Sequence, residues 1–161
     1  MSDQVLTVIL SATAGALAWF VTNWIGKPIA DAWDKRLKAL QAAEQNACVG
    51  GGSSEARIVA ARASLNDAAS ALRTISRGQW PVRLYCWFVR YDLEAAAAVL
   101  VHLHNITGLD VGTEACSFFR DAVYVFLRAH QHLRRERVDE IKRQAEELRS
   151  RPARDIGCSG L

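Results

Sequence analysis

Proline is scarce in this chain: only three occur among 161 residues, at positions 28, 81 and 152. Proline ends or kinks helices, so its scarcity leaves room for long uninterrupted ones. Half of the residues are apolar, which excludes a largely disordered chain. Alanine is abundant, and alanine favours helices over strands. The composition therefore predicts an all-α fold.

Cysteine patterns and the familiar catalytic motifs are also missing. The four cysteines, at positions 48, 86, 116 and 158, are spaced neither for a zinc site nor for a compact disulfide framework. The chain has no nucleophile elbow, no H-E-x-x-H motif and no glycine-rich nucleotide loop. Two H-x-H pairs occur, but helical residues two apart point about 200° apart and hold one metal poorly. We predict no enzyme: no catalytic residue, no metal and no cofactor.

Charged residues are absent between Asp3 and Lys27, which leaves 23 uncharged residues in a row. The run from Val5 to Ile25 is mostly apolar, and about 20 helical residues cross a hydrocarbon core of about 30 Å. A cleaved signal peptide with its cleavage site at residues 16–18 is the alternative. The segment before the run has no Lys or Arg, however, and the run continues past that site. We therefore predict an N-terminal transmembrane helix.

Flanking charges indicate the orientation of this helix. The N-terminal side offers only the amino group and Asp3, whereas four bases follow within residues 27–38. The positive-inside rule then places the N-terminus outside and the C-terminal domain in the cytoplasm, at the inner membrane. Side chains typical of a membrane–water interface lie near the cytoplasmic end: Trp19, Trp24, Lys27 and Trp33.

One face of the predicted membrane helix carries small or weakly polar side chains at spacings of 4, 4, 3 and 4. They are Thr7, Ser11, Gly15, Ala18 and Thr22. Small residues at this spacing let two helices approach closely in lipid, so we predict self-association along this face. A pore lining and a plain anchor are the alternatives.

Turn-forming residues divide the rest of the chain. Pro28 predicts a kink or restart after the membrane helix, and the glycines at 50–52 predict a flexible loop. The predicted segments are a membrane anchor (1–27), a juxtamembrane amphipathic helix (28–46), a Gly/Ser loop (47–54), a helical bundle with a long C-terminal helix (55–150) and a flexible tail (151–161). The predicted architecture is one transmembrane helix followed by a cytoplasmic bundle of about four helices.

The helix predicted from residue 55 onward has an apolar stripe at spacings of 3, 4, 3, 4 and 3. It consists of Ile58, Ala61, Leu65, Ala68, Leu72 and Ile75. Fewer than three heptads is short for an autonomous coiled coil. We therefore predict that this stripe packs inside an antiparallel bundle of the same chain.

Two further apolar segments follow. Pro81 predicts a helix start, and Asp92 could cap or interrupt the helix. Residues 84–103 are mostly apolar, but their three central charges would each cost about 2.5–3.5 kcal/mol in a bilayer. We predict a buried core helix there, with a re-entrant segment or a segment lying along the membrane surface as the alternative. From Thr113 we predict one long helix to about Arg149, whose second half bends or leaves the core.

The C-terminal part is basic, with nine bases and five acids in residues 128–154. Five bases are candidates for contact with anionic lipid or nucleic acid: Arg134, Arg135, Arg137, Lys142 and Arg143. Interspersed acids favour a solvated helix with salt bridges instead. A nucleic-acid arm is normally more purely basic and carries exposed aromatics, so the sequence argues against a nucleic-acid partner.

These features predict a non-enzymatic, single-pass membrane-anchored helical module, and the Ala/Arg-rich composition indicates a bacterial one. Its predicted partners are the lipid bilayer, further copies of itself, and an unidentified protein that it scaffolds or recruits at the inner membrane. Two alternatives come from other classes. One is an oligomeric membrane-active or pore-forming effector, and the other is a membrane-tethered nucleic-acid-binding protein.

Overall fold

A computed structural model describes residues 3–78, 80–110 and 112–150, and within these ranges the chain is all-α with no strand. The predicted fold class is thereby confirmed. The elements in chain order are α1 (Asp3–Val21), a π-helical turn (Thr22–Gly26), α2 (Lys27–Asn46), α3 (Glu55–Ser76), α4 (Trp80–Val89), α5 (Leu93–Ile106), α6 (Thr113–Phe126) and α7 (Arg135–Ser150). The predicted tail at 151–161 lies outside the described residues.

At Pro28, where the sequence predicts a kink or restart, the chain has a π-helical turn within one continuous helix. The backbone N–H of Lys27 donates to the carbonyl of Thr22, five residues back, and Pro28 lies in the first turn of α2. Proline lacks an amide proton and crowds the preceding turn, which a wider π turn accommodates. The side chain of Asn23 donates to the carbonyl of Trp19 at 2.8 Å. Helical structure therefore continues from the apolar N-terminal segment into α2.

Four helices form the bundle, because α2 packs on α3, α3 on α5, α5 on α6, and α6 back on α2. The largest side chains with no exposure in this core are leucines: Leu65, Leu72, Leu100, Leu103 and Leu127. Buried alanines lie between them, and small side chains let helix backbones approach closely: Ala39, Ala43, Ala96 and Ala97. Helix α2, which covers the predicted juxtamembrane helix, is thus an integral part of the bundle.

The stripe predicted on α3 faces the interior of this bundle. Its buried members are Ala61, Leu65, Ala68, Leu72 and Ile75. Ile58, at the start of the stripe, is half-buried, and a Cβ at Gly108 would lie 2.8 Å from its side chain. Packing against α2 and α5 of the same chain accounts for the stripe without a partner helix from another molecule.

The predicted single helix from Thr113 to about Arg149 is wrong. Helix α6 ends at Phe126, and Arg128 takes a left-handed backbone conformation with φ of 54°. Arg128 N donates to Val125 O at 3.2 Å, and Ala129 N donates to Tyr124 O at 2.8 Å. This is the Schellman ending, which glycine normally supplies. An arginine in the glycine position gave no stop signal in the sequence.

Helix α7 turns back after this break and does not project from the bundle. Its buried Val138 and Ile141 pack on Ala122 and Val125 of α6. The skip in the apolar stripe between Leu133 and Val138 falls where α7 begins, at Arg135.

The predicted core helix over residues 84–103 is correct in its second half only. Helix α5 is buried, and Asp92 caps it by accepting from Ala95 N at 3.0 Å. Helix α4 ends at Val89, and the next residue, Arg90, also takes a left-handed backbone conformation, with φ of 58°. Tyr91 N donates to Cys86 O at 2.9 Å, so this ending is also of the Schellman type. Much of α4 lies on the surface.

Candidate membrane interface

Helix α1 presents large apolar side chains that nothing in the described part of the chain covers. Leu17 is 65% exposed and Trp19 is 64% exposed, and Val8, Leu10 and Val21 are also exposed. The long helix that contains α1 has the length and composition to cross a membrane, and none of its apolar window is buried. A contiguous apolar surface of this kind marks a site of contact with a membrane or another protein.

The predicted association face is open along α1. All five of its residues are exposed: Thr7, Ser11, Gly15, Ala18 and Thr22. A Cβ added at Gly15 would meet no atom within 4 Å. Ser11 donates its hydroxyl to Val8 O at 2.9 Å, and Thr22 donates to Ala18 O at 2.8 Å. Both hydroxyl protons are therefore hydrogen-bonded inside the helix, so neither needs water as an acceptor in an apolar environment such as lipid.

The predicted interface anchors lie at and beyond the end of α1. Trp19, Trp24, Lys27 and Trp33 are all exposed. The ring of Trp24 stacks on Phe20 with centroids 5.5 Å apart. Amphipathic aromatic rings at this level are typical of side chains that settle among lipid headgroups.

Arg36 is only 7% exposed and therefore belongs to the fold and not to the flanking charge. Its Nε donates to the carbonyl of Leu127 at 2.9 Å. Its guanidinium carbon lies 4.8 Å from the ring centroid of Trp33 and 5.1 Å from that of Tyr91. Arg36 thus ties α2 to the end of α6 and to the turn between α4 and α5.

Helix α4 carries an exposed apolar face that the sequence analysis missed. We call it the α4 face, and it consists of Trp80, Leu84, Trp87 and Phe88. Trp87 is 74% exposed and Phe88 is 79% exposed, whereas Val82 and Cys86 on the other side are buried. The spacing of 4, 3 and 1 puts all four side chains on one side of the helix. That spacing predicts one apolar side of a helix, but it does not distinguish a side that meets the core from a side that meets solvent.

Helix α4 lies beside the exit of the apolar helix. It contacts both α2 and the π-helical turn Thr22–Gly26 that follows α1. The α4 face is therefore close to the predicted membrane–water boundary.

The five basic candidates on and before α7 do not behave alike. Arg134, Arg135, Lys142 and Arg143 are exposed. Arg137 instead pairs with Asp121 at 3.6 Å and with Glu140 at 3.2 Å, and its guanidinium stacks over an α6 phenyl ring at 4.9 Å. Its contacts hold α7 against α6, which leaves the other four bases as the solvent-facing set.

A groove of about 270 Å³ lies between the α4–α5 turn, α6 and α7. Its charged lining residues are of both signs: Arg90, Asp92, Arg128, Lys142 and Glu146. The nearby His130 has a buried Nδ1 with no hydrogen-bond partner among the described residues. Burial, and then the charges of Arg128 and Lys142, lower the pKa of His130.

The remaining histidines and cysteines are dispersed, apart from Cys48 and Cys116, whose side chains interact. His104 Nδ1 lies 2.9 Å from the carbonyl oxygen of Arg62, and His102 packs on an α6 phenyl ring. Among the described residues, no group of three His, Cys, Asp or Glu side chains could hold a metal. Cys86 and Cys116 are buried free thiols, and burial raises the pKa of each. A raised pKa disfavours the reactive thiolate.

Comparisons of the chain with protein-family models, with curated proteins and with solved structures find no match. The class that the fold defines is an all-α bundle preceded by an apolar helix long enough to span a membrane.

Proposed function

We propose that the chain is a non-enzymatic, single-pass protein of the bacterial inner membrane, which self-associates and scaffolds or recruits partner proteins there. The observation that carries this proposal is the uncovered apolar surface of α1, which has no place in water but matches lipid tails. The polar, well-packed bundle that follows suits an aqueous compartment.

The proposed orientation places the N-terminus outside and the bundle in the cytoplasm. It rests on the charge asymmetry around α1, to which Lys27, Lys35 and Lys38 contribute. Lys35 pairs with Asp31 and Lys38 with Asp34, each at 2.8 Å, but acids contribute little to the positive-inside rule.

Self-association is proposed along the face that contains Gly15. The open space around Gly15 and the internally bonded hydroxyls give a smooth surface, on which a second copy of α1 can pack closely. The same surface could line a pore only if water replaced lipid there. Because these hydroxyl protons are already bonded inside the helix, the face needs no water beside it. We therefore favour the scaffold over the membrane-active alternative.

The test is the mass of the purified protein in detergent. Gly15→Ile places a branched side chain in the proposed contact and should shift the oligomer towards monomer. Ala16→Ile adds the same bulk about 140° away from the centre of that face and should leave the mass unchanged. An oligomer that survives Gly15→Ile would refute the contact.

Two further measurements address the role itself. Proteins that co-purify with the wild type and not with Gly15→Ile would identify partners that need the assembled form. Mild expression with a membrane-potential dye should leave the potential intact. A collapsed potential would instead establish the membrane-active alternative.

A further inference from the structure

We propose that the α4 face is a second membrane contact, which lies in the headgroup region of the bilayer that α1 spans. This inference rests on the proposed membrane anchor and adds the way in which the bundle is held against the membrane surface. The partner it specifies is the interface of an anionic phospholipid bilayer.

Position is the first reason. Helix α4 contacts the π-helical turn where the chain leaves the apolar helix. Trp24 in that turn is exposed and lies at the predicted membrane boundary. Side chains on the outer side of α4 therefore lie within reach of the same boundary.

Composition is the second reason. The α4 face combines two tryptophans, a phenylalanine and a leucine on one side of a ten-residue helix. Interfacial helices bury such a face about 5–10 Å into the boundary between headgroups and acyl chains. The buried side of α4, with Val82 and Cys86, is already used by the bundle.

Charge is the third reason. Residues 68–91 contain no acid and four arginines, all of them exposed: Arg73, Arg77, Arg83 and Arg90. Arg77 and Arg83 lie just before and on α4, and arginines beside an apolar face attract anionic headgroups. They also argue against a second copy as the occupant, because a two-fold contact would bring together two copies of a segment that carries bases and no acid. The charge pattern thus favours lipid over self-association at this face.

The experiment places a fluorescent probe at three positions of the full-length protein in vesicles of phosphatidylcholine and phosphatidylglycerol. The background lacks native thiols through Cys48→Ser, Cys86→Ala, Cys116→Ala and Cys158→Ser, and circular dichroism checks its helix content. Phe88→Cys reports the α4 face, and Ala12→Cys reports α1. Val59→Cys is the matched control, because Val59 is an exposed apolar residue on α3. Brominated lipids quench probes in the membrane, and iodide quenches probes in water.

The expected result is lipid quenching at Phe88 and Ala12, with iodide quenching at Val59. Lipid quenching at Ala12 together with iodide quenching at Phe88 would overturn the α4 contact and leave the anchor intact. Shielding of Phe88 from both quenchers would place α4 against protein and also overturn it. Iodide quenching at Ala12 would refute the anchor itself.

Two double variants test the contribution of charge to the α4 contact. They are compared at a low content of anionic lipid, at which the Phe88 probe is in the membrane in only part of the molecules (docked) and in water in the rest (undocked). Arg77→Gln with Arg83→Gln should lower the docked-to-undocked ratio by about fivefold per arginine. The matched pair Arg134→Gln with Arg135→Gln, from the exposed bases before α7, should leave the ratio unchanged. Equal effects of the two pairs would show that net charge, and not the α4 face, sets the contact.

Discussion

Removal of the buried arginine of α2 should loosen the whole bundle. Arg36→Met keeps the length of the side chain but deletes its donor and its charge. The carbonyl of fully buried Leu127 then loses its partner, and an unsatisfied buried acceptor costs about 1–3 kcal/mol. The cation–π contacts with Trp33 and Tyr91 are lost as well, at about 0.5–1 kcal/mol each.

The net loss should be about 3 kcal/mol, because methionine recovers part of the packing and needs no desolvation of a charge. Urea unfolding of the full-length protein in detergent, followed by near-UV circular dichroism, measures it. With an m value of about 2 kcal/mol per M, the midpoint should fall by about 1.5 M. The midpoint of Arg36→Lys should lie between those of the wild type and Arg36→Met, because lysine keeps the charge but lacks the planar guanidinium.

Lys38→Met is the matched control, because it removes a base from the exposed side of the same helix. It should leave the midpoint where it is. A midpoint for Arg36→Met that coincides with the wild type would refute the structural role of Arg36.

Two further predictions concern the turn before α6 and the loop before α7. Gly108→Ala should destabilise the protein by about 1–2 kcal/mol, because φ is +84° and the new Cβ would lie 2.8 Å from an α3 side chain. Gly52→Ala is the control and should be neutral in the same urea assay, because Gly52 has open space around it. Equal destabilisation by the two substitutions would contradict the assigned turn. His130→Gln should flatten the acid dependence of stability: the folded-state pKa is lowered, so stability is complete above the unfolded pKa of about 6.5 and falls as the pH drops below it. Melting temperatures at pH 5.5 and 7.5 test this, and an unchanged pH dependence in the variant would contradict it.

Helical periodicity carried most of the fold prediction. The α3 stripe was readable because five of its six residues meet the core at regular spacing. An irregularity near Pro28 was readable because proline has one clear local effect, although the helix does not break there. Both are local properties of the sequence, which is why they could be predicted from it.

The errors came from features that the local sequence does not encode. Arg90 and Arg128 end helices in a conformation that is normally signalled by glycine. The sequence therefore predicted one helix from α6 through α7, and it indicated the boundary between α4 and α5 only through the candidate cap Asp92. Arg36 looked like a flanking charge because its acceptor, Leu127, is 91 residues away in the sequence. Apolar composition on α4 could not distinguish a core face from a surface face, since both consist of the same residues.

The most direct measurement of the central claim is an alkaline carbonate wash of membranes from cells that express the full chain. Carbonate strips surface contacts such as the one proposed for α4, so retention reports α1 alone. The wild-type protein should stay in the membrane pellet. A variant with Leu10→Arg and Leu17→Arg, each costing about 2.5–3.5 kcal/mol in the bilayer, should be released. Release of the intact wild-type chain into the supernatant would contradict the membrane anchor.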